Sequence, residues 1–393
     1  MAGETLPPAV KPAASDEHPL RELAGLFLKL GTIAFGGPAA HIAMMEDELV
    51  RRRRWMTHAE FLDLLAVTNL IPGPNSTEMA VHIGHRRAGW PGLLVAGVCF
   101  IAPAILIVTL LAWAYVRFSA LPVAEGLLRG VTPVVVAIIA QALWRLGQAV
   151  FKTWLVGAVA LIAAGANFLG VGELLVLAGA GVFMLLVWGV RNRVHGRSTP
   201  GMLVVVPPCV PLPALAFAGG TAGPALWPIF LFFLKVGSVL YGSGYVLIAF
   251  LRADLVERWG WITESQLLDA VAVGQVTPGP LFTTATFIGY LLAGPLGAAV
   301  ATGGIFLPAF VFVAASAPFI PRLRRSAAFS AILDGLNAGS LALMAVVTLT
   351  LARTVVADWR SLLVAGLSAV LLYYRVSSTW LIVGGALAGT ILW

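Results

Sequence analysis

Charge is scarce in this sequence: 11% of its 393 residues are Asp, Glu, Lys or Arg, against roughly 25% in an ordinary soluble domain. So few charges cannot cover a water-exposed surface. No charged residue occurs between Arg87 and Arg117, between Arg197 and Lys235, or between Asp269 and Arg322, and each gap exceeds the roughly 20 apolar residues of a membrane helix. Soluble enzymes, secreted disulfide scaffolds and disordered chains are thereby excluded. Cysteine is almost absent: Cys99 and Cys209 stand alone in apolar stretches, which leaves no disulfide framework and no metal-ligand spacing. There is no phosphate-binding loop ending in Gly-Lys-Ser or Gly-Lys-Thr, hence no ATPase in this chain, and no Ser/His/Asp or HExxH arrangement. The expectation is a protein that is not an enzyme and uses neither cofactor nor metal. The first 22 residues lack the basic start and apolar centre of a cleavable signal and read as a mobile cytoplasmic tail. A net charge of +7 does not point to nucleic acid here, because cytoplasmic loops of membrane proteins collect Lys and Arg.

What the sequence does contain is a duplication. Residues 27–74 align without a gap on 233–280, and 19 of 48 positions are identical. FLKLGTIAFGG answers FLKVGSVLYGS, and both copies reach Pro-Gly-Pro, at Pro72-Gly73-Pro74 and Pro278-Gly279-Pro280. After one residue is dropped, IGHRRAG (83–89) matches IGYLLAG (288–294), and Pro103 matches Pro308. The expected organisation is a tail over 1–22, one repeat over 23–197, a Pro-rich connection over 198–225 and a second repeat over 226–393. Within each repeat the early segments are interrupted by Gly and Pro, near 24–45 and 61–84 and again near 228–250 and 267–290. The later ones read as ordinary apolar spans near 92–116, 126–150, 153–169 and 172–190, and near 296–318, 328–351, 361–374 and 378–393. The fold class is an all-α, polytopic integral membrane protein of two homologous halves with broken or re-entrant helices. The number of full spans stays open, since a broken segment can cross or return.

The few charges also bear on orientation. Arg51 to Arg54 form a run that marks a cytoplasmic end; the aligned Glu257-Arg258-Trp259-Gly260 has no net charge. The second copy instead carries Arg322, Arg324 and Arg325, where the first has only Arg117. Opposite ends of one unit are basic in the two copies. That pattern predicts an inverted repeat, two halves related by a pseudo-two-fold axis in the membrane plane, with a parallel duplication as the alternative.

Broken helices in matching places of two halves point to a transporter binding site. At a break, backbone N–H groups lose their helical acceptors and must face protein, water or a ligand; the positive end of the helix dipole favours an anion. The first breaks are Gly36-Gly37-Pro38 and Gly242-Ser243-Gly244; the second are Pro72-Gly73-Pro74 followed by Asn75, Ser76, Thr77 and Glu78, and Pro278-Gly279-Pro280 followed by Thr283 and Thr284. Pro38 suits a first helical turn. Asn75 and Glu78 have the spacing of a capping box, and Glu78, the acid nearest the break, is the candidate for coupling to protons. Lys29 and Lys235 occupy equivalent positions before the first breaks and could reach an anion there or snorkel to the interface. Among the histidines, His41, His82 and His85 lie close to the first-copy breaks.

The stretch FGGPAAHI (35–42), the following Glu48, Arg51 to Arg54 and Trp55, the Pro72 to Pro74 motif and the Phe100 to Pro103 motif resemble the chromate ion transporter family in its long, two-domain form. The resemblance implies a multi-pass protein of the bacterial inner membrane that exports chromate, a tetrahedral dianion like sulfate, using an ion gradient. It also implies partners no more elaborate than the oxyanion and the bilayer, and leaves room for a homodimer. The second copy departs from the motif at Gly244 and Leu247, where the first has Pro38 and His41, so site roles fall mainly on the first. Sulfate or another oxyanion as cargo, or an anion channel, are the competing readings.

Overall fold

The computed structural model describes residues 18–35, 37–118, 122–151, 153–194, 224–241, 244–316, 326–356 and 358–393. Gly36, Gly242, Ser243, most of the tail and connection, and the 322–325 basic cluster lie outside them. Among the described residues every regular element is helical. The first half contains α1 (Pro19–Ile33), α2 (Pro38–Glu46), α3 (His58–Thr68), α4 (Asn75–Phe118), α5 (Pro122–Val150), α6 (Trp154–Phe168) and α7 (Glu173–Val194). The second contains α8 (Leu226–Val239), α9 (Leu247–Phe250), α10 (Glu264–Val276), α11 (Thr284–Ser316), α12 (Ala327–Val356), α13 (Trp359–Tyr373) and α14 (Ser378–Leu392). Wide turns of π type extend α2 over Asp47–Arg52 and α9 over Leu251–Arg258. Helices are what lipid permits, because each satisfies its own backbone.

Five stretches, in α4, α5, α7, α11 and α12, are long and apolar enough to cross a membrane. Their outward faces carry Leu106, Leu110, Leu175, Leu186 and Leu307 in the open, while Phe27, Phe61, Phe100, Phe233, Phe287 and Phe306 are fully buried. Large apolar side chains on both the inside and the outside mean that the outer solvent is apolar too. Exposed Trp154, Trp227, Trp359 and Trp380 stand within the first three residues of their helices, as interfacial anchors do.

The two longest helices are not straight rods. In α4 the path breaks at Ala88 and Gly89 (φ 61°), and in α11 at Ala293 and Gly294 (φ 60°). The arms then fold back on one another: Cβ atoms at Gly84 and Gly289 would lie 2.2 and 2.3 Å from the carbonyl oxygens of Gly92 and Gly297. In a straight helix eight residues would separate these groups by about 12 Å. The Thr286 and Thr302 hydroxyls, sixteen residues apart, meet at 2.7 Å. The first arm of α4, 75–88, extends only about 20 Å at 1.5 Å per residue, short of the roughly 30 Å hydrocarbon core. The chain reverses at Gly89, so of the two courses the sequence leaves open, crossing or returning, this arm takes the return.

Packing is reciprocal between the halves. Within each, the first helix lies along the hairpin, α1 on α4 and α8 on α11, and the hairpins α4 and α11 pack together. Farther out, α5 packs against α13 and α14 of the second half, while its counterpart α12 packs against α6 and α7 of the first. Small residues make these crossings close: Gly130 lies on Gly385 and Gly389, and Gly335 on Ala180 and Gly181.

Candidate functional site: the paired helix breaks

The second break of each half is tied to the first break of the other. Gly73 N–H donates to the Leu240 carbonyl at 2.9 Å, and Gly279 N–H donates to the Ala34 carbonyl at 3.0 Å. Leu240 and Ala34 are equivalent residues, each following its helix end, so the two bonds are images of one another. Such an exchange is the mark of a two-fold relation. Gly73 has φ 138° and Gly279 φ 106°, a region L side chains rarely enter. Ala104 packs 2.8 Å from where a Cβ on Gly279 would be. Glycine at both places lets one backbone approach the other across the interface.

The other expected residues fall around these bonds in different ways. Gly37 (φ 79°) precedes α2 at its N-cap and Pro38 is the first helical residue. His41 Nε2–H donates to the same Ala34 carbonyl at 3.0 Å, while its buried Nδ1 has no partner among the described residues. Pro74 is buried, and its carbonyl accepts from the N–H groups of Thr77 and Glu78. The cap therefore sits one residue earlier than Asn75. Asn75 instead donates through Nδ2 to Asn69 Oδ1 at 2.6 Å.

Glu78 corrects the capping-box expectation. It is fully buried, and neither carboxyl oxygen has a hydrogen-bond partner among the described residues. The side chain lies against the break: a Cβ on Gly73 would stand 2.5 Å from Glu78 Oε1. Thr77 Oγ1 is likewise buried without a partner, and Ser76 is buried beside it. In the second half, Thr283 and Thr284 are buried and donate to the carbonyls of Pro280 and Leu281 at 2.9 and 2.8 Å.

Lys29 and Lys235 are ion-paired. Lys29 Nζ lies 2.5 Å from Glu48 Oε1, and Lys235 Nζ lies 2.6 Å from Asp254 Oδ2. Arg52 and Arg258, also equivalent, join the same acids at 3.3 and 3.6 Å. Each cluster clamps the first helix of its half to the wide π turn beyond the first break. The signal for it was available, since both copies place an acid nineteen residues after the lysine. Asp269, which by sequence alone reads with Asp63 as a paired acid near a helix start, has a different role in the structure. Its equivalent Asp63 is exposed, but Asp269 is buried and accepts from Tyr115 Oη of the first half at 2.9 Å.

True capping boxes do occur, in register, at the start of α3 (Thr57 and Glu60) and of α10 (Thr263 and Gln266). Glu60 is held below the ordinary carboxylate range by the Thr57 N–H and then by Arg86. At the same end Arg87 lies 4.1 Å and Arg53 5.2 Å from the centre of the Trp55 ring, which joins this end of the first arm of α4 to the arginine run.

Two interlocked halves of broken and spanning helices, with reciprocal breaks at their interface, define a two-half membrane transporter. The chain belongs to the chromate transporter family, which it matches over residues 21–185 and again over 227–390. It is 33% identical over 383 residues to a chromate transport protein of Cupriavidus metallidurans, covering 95% of this chain and 93% of that one. It is 36% identical over 344 residues to a chromate transport protein of Pseudomonas aeruginosa, covering 84% and 81%. An uncharacterized transporter of Bacillus subtilis, 29% identical over 174 residues, aligns 87% of its length with 44% of this chain. No solved structure matches the chain.

Proposed function

We propose that this protein exports chromate across the bacterial inner membrane, driven by an ion gradient, and thereby confers chromate resistance. The observation that carries the reading is the reciprocal pair of breaks at the interface of the halves, taken with relatives that are named for chromate transport. Chromate binds between the halves. The N–H groups of Ala39 and Ala40 in α2, and of Asn75 and Ser76 in α4, precede the first hydrogen bond of each helix; Ser76, Thr77, Thr283 and Thr284 stand at the second breaks, and Lys29 and Lys235 would turn to the anion from their pairs with Glu48 and Asp254. Gly73 and Gly279 already spend their N–H groups on the opposite half; they hold the two halves in this conformation, and rocking that alternates access exchanges these bonds. Glu78 is the coupling group, because a proton on it removes the cost of an unpaired buried charge. The two halves lie inverted in the bilayer, a reading supported by their two-fold exchange of contacts and by the opposite placement of their basic clusters.

Chromate flux into inside-out vesicles, with the pH and voltage gradients collapsed separately, tests cargo, direction and driving force together. Flux that is saturable and stops with one gradient is expected. Unsaturable, purely downhill flux would indicate a channel, and stronger inhibition by sulfate than by unlabelled chromate would reassign the cargo.

A further inference from the structure

The first arm of α4 carries a second feature that the anion does not use. Glu78, His82 and His85 stand at i, i+4 and i+7 on one helical face. Their burial is graded: Glu78 is fully buried, His82 is 5% exposed, His85 is half-buried, and the next residue, Arg86, is exposed. Glu78 has no hydrogen-bond partner on either oxygen, and His82 none on Nε2, among the described residues. Unsatisfied polar atoms this deep in a packed interior are costly, and these lie on a single line. The line is about 10 Å long at 1.5 Å per residue. Its inner end touches the break at Gly73, and its outer end opens beside the arginine run through Arg87 and Trp55.

The duplication supplies a comparison inside the molecule. The aligned positions of the second copy are Thr284, Phe287 and Tyr290. None of these is a carboxylate or an imidazole. The charged groups brought to α4 by its neighbours are committed elsewhere: Glu22 of α1 binds Arg87, Glu60 of α3 binds Arg86, Lys29 binds Glu48, and Asp269 of α10 binds Tyr115. His41 of α2 is turned to Ala34, and α11 has no charged residue.

We infer that His82 and His85 form a one-sided proton route joining Glu78 at the helix break to the basic end of the first half. A proton taken up by His85 passes to His82 and then to the Glu78 carboxylate, leaving both imidazoles neutral; release reverses the order. Neighbours at this spacing lie within about 6 Å between Cβ atoms, so transfer is direct or through one water. Because only one copy has the route, protons exchange with one face of the membrane through it, while the anion meets a nearly symmetric pair of breaks.

The inference rests on the transport reading, and one assay separates the two. The full chain is placed in lipid vesicles with a pH-sensitive dye inside, and chromate is supplied outside. Wild-type protein is expected to exchange labelled for unlabelled chromate and to move protons when net chromate flux occurs. His82→Phe, which installs the second-copy residue, and His82→Gln should keep chromate exchange within about twofold while slowing chromate-driven proton movement at least about tenfold, the lower range of effects for a positioned proton carrier. Wild-type proton movement in both variants would overturn the route, as would wild-type chromate flux without protons. If both substitutions also abolish exchange, His85→Phe at the half-exposed end decides, and unchanged proton flux there overturns the route. Failure of the wild-type protein to exchange chromate would instead remove the transport reading, and the inference with it.

Discussion

A few atoms at the interface do much of the organising. Gly279 has a positive φ, donates to Ala34, and leaves no room for a side chain beside Ala104. Gly279→Ala combines backbone strain of about 1–3 kcal/mol with overpacking, and is expected to lower the thermal midpoint in detergent by several degrees. Ala104→Gly in the same chain should recover part of the loss; a wild-type midpoint for the single variant would contradict this account. The lysine clusters make a contrasting prediction. The Lys29 side chain is 47% exposed and Glu48 retains Arg52 and Arg53 as partners, so Lys29→Ala should cost about 1 kcal/mol or less, as at exposed pairs. The Lys235 and Asp254 side chains are only 24% and 6% exposed, and among the described residues the arginine left to Asp254 is Arg258, at 3.6 Å. Lys235→Ala should therefore cost more, about 2 kcal/mol, since stranding a buried charge is the expensive half of breaking a pair. Denaturant titration of the two variants checks the order, and equal losses would count against it.

Among the elements, the hairpins α4 and α11 depend on backbone lying against backbone. Gly84 and Gly289 face the carbonyls of Gly92 and Gly297 at distances that no Cβ can occupy. Gly84→Ala and Gly289→Ala are each expected to reduce the folded protein recovered from membranes severalfold, because opening a packed hairpin costs about 1–3 kcal/mol or more. Size-exclusion recovery beside Gly303→Ala, where a Cβ meets nothing within 4 Å, provides the measure; equal recovery of all three would show that the arms tolerate separation. The breaks at Pro72-Gly73-Pro74 and Pro278-Gly279-Pro280 were visible in the sequence as Gly and Pro, whereas Gly89 and Gly294 stood out only as aligned residues. That the arms return onto each other was not visible, because a Gly-Pro interruption permits a kink, a stop or a reversal alike. The Glu78 reading failed for a related reason. Capping-box spacing describes a chain whose cap is at Asn75, and the Pro74 carbonyl took that place first.

For the whole molecule, two copies of one unit exchange equivalent bonds, hairpin contacts and outer helices. Inversion in the bilayer makes a direct prediction: single cysteines at positions 52 and 258, which are aligned, should react with an impermeant thiol reagent from opposite faces. Labelling of both from one face would establish a parallel duplication. The interface between halves also holds the Tyr115 to Asp269 bond. Tyr115→Phe should cost about 1–3 kcal/mol, because it leaves a buried carboxyl without its donor, and a thermal shift assay reads it.

Composition and periodicity by themselves determined that this is a membrane protein, that it is all-helical, that it is duplicated at a constant offset, and where its helices break. Those properties follow from transfer energies and backbone sterics, which act on residues near one another in the chain. Only the tertiary structure decided which carbonyl each break would meet, that Lys29 and Lys235 would be held by Glu48 and Asp254, and that Asp269 would be buried while Asp63 stayed exposed. It also decided that Glu78 would stand buried at the break with neither carboxyl oxygen hydrogen-bonded among the described residues. These outcomes depend on groups tens to hundreds of residues apart arriving at one place, and hydrogen bonds and ion pairs of about 3 Å reach require positions that no local pattern records.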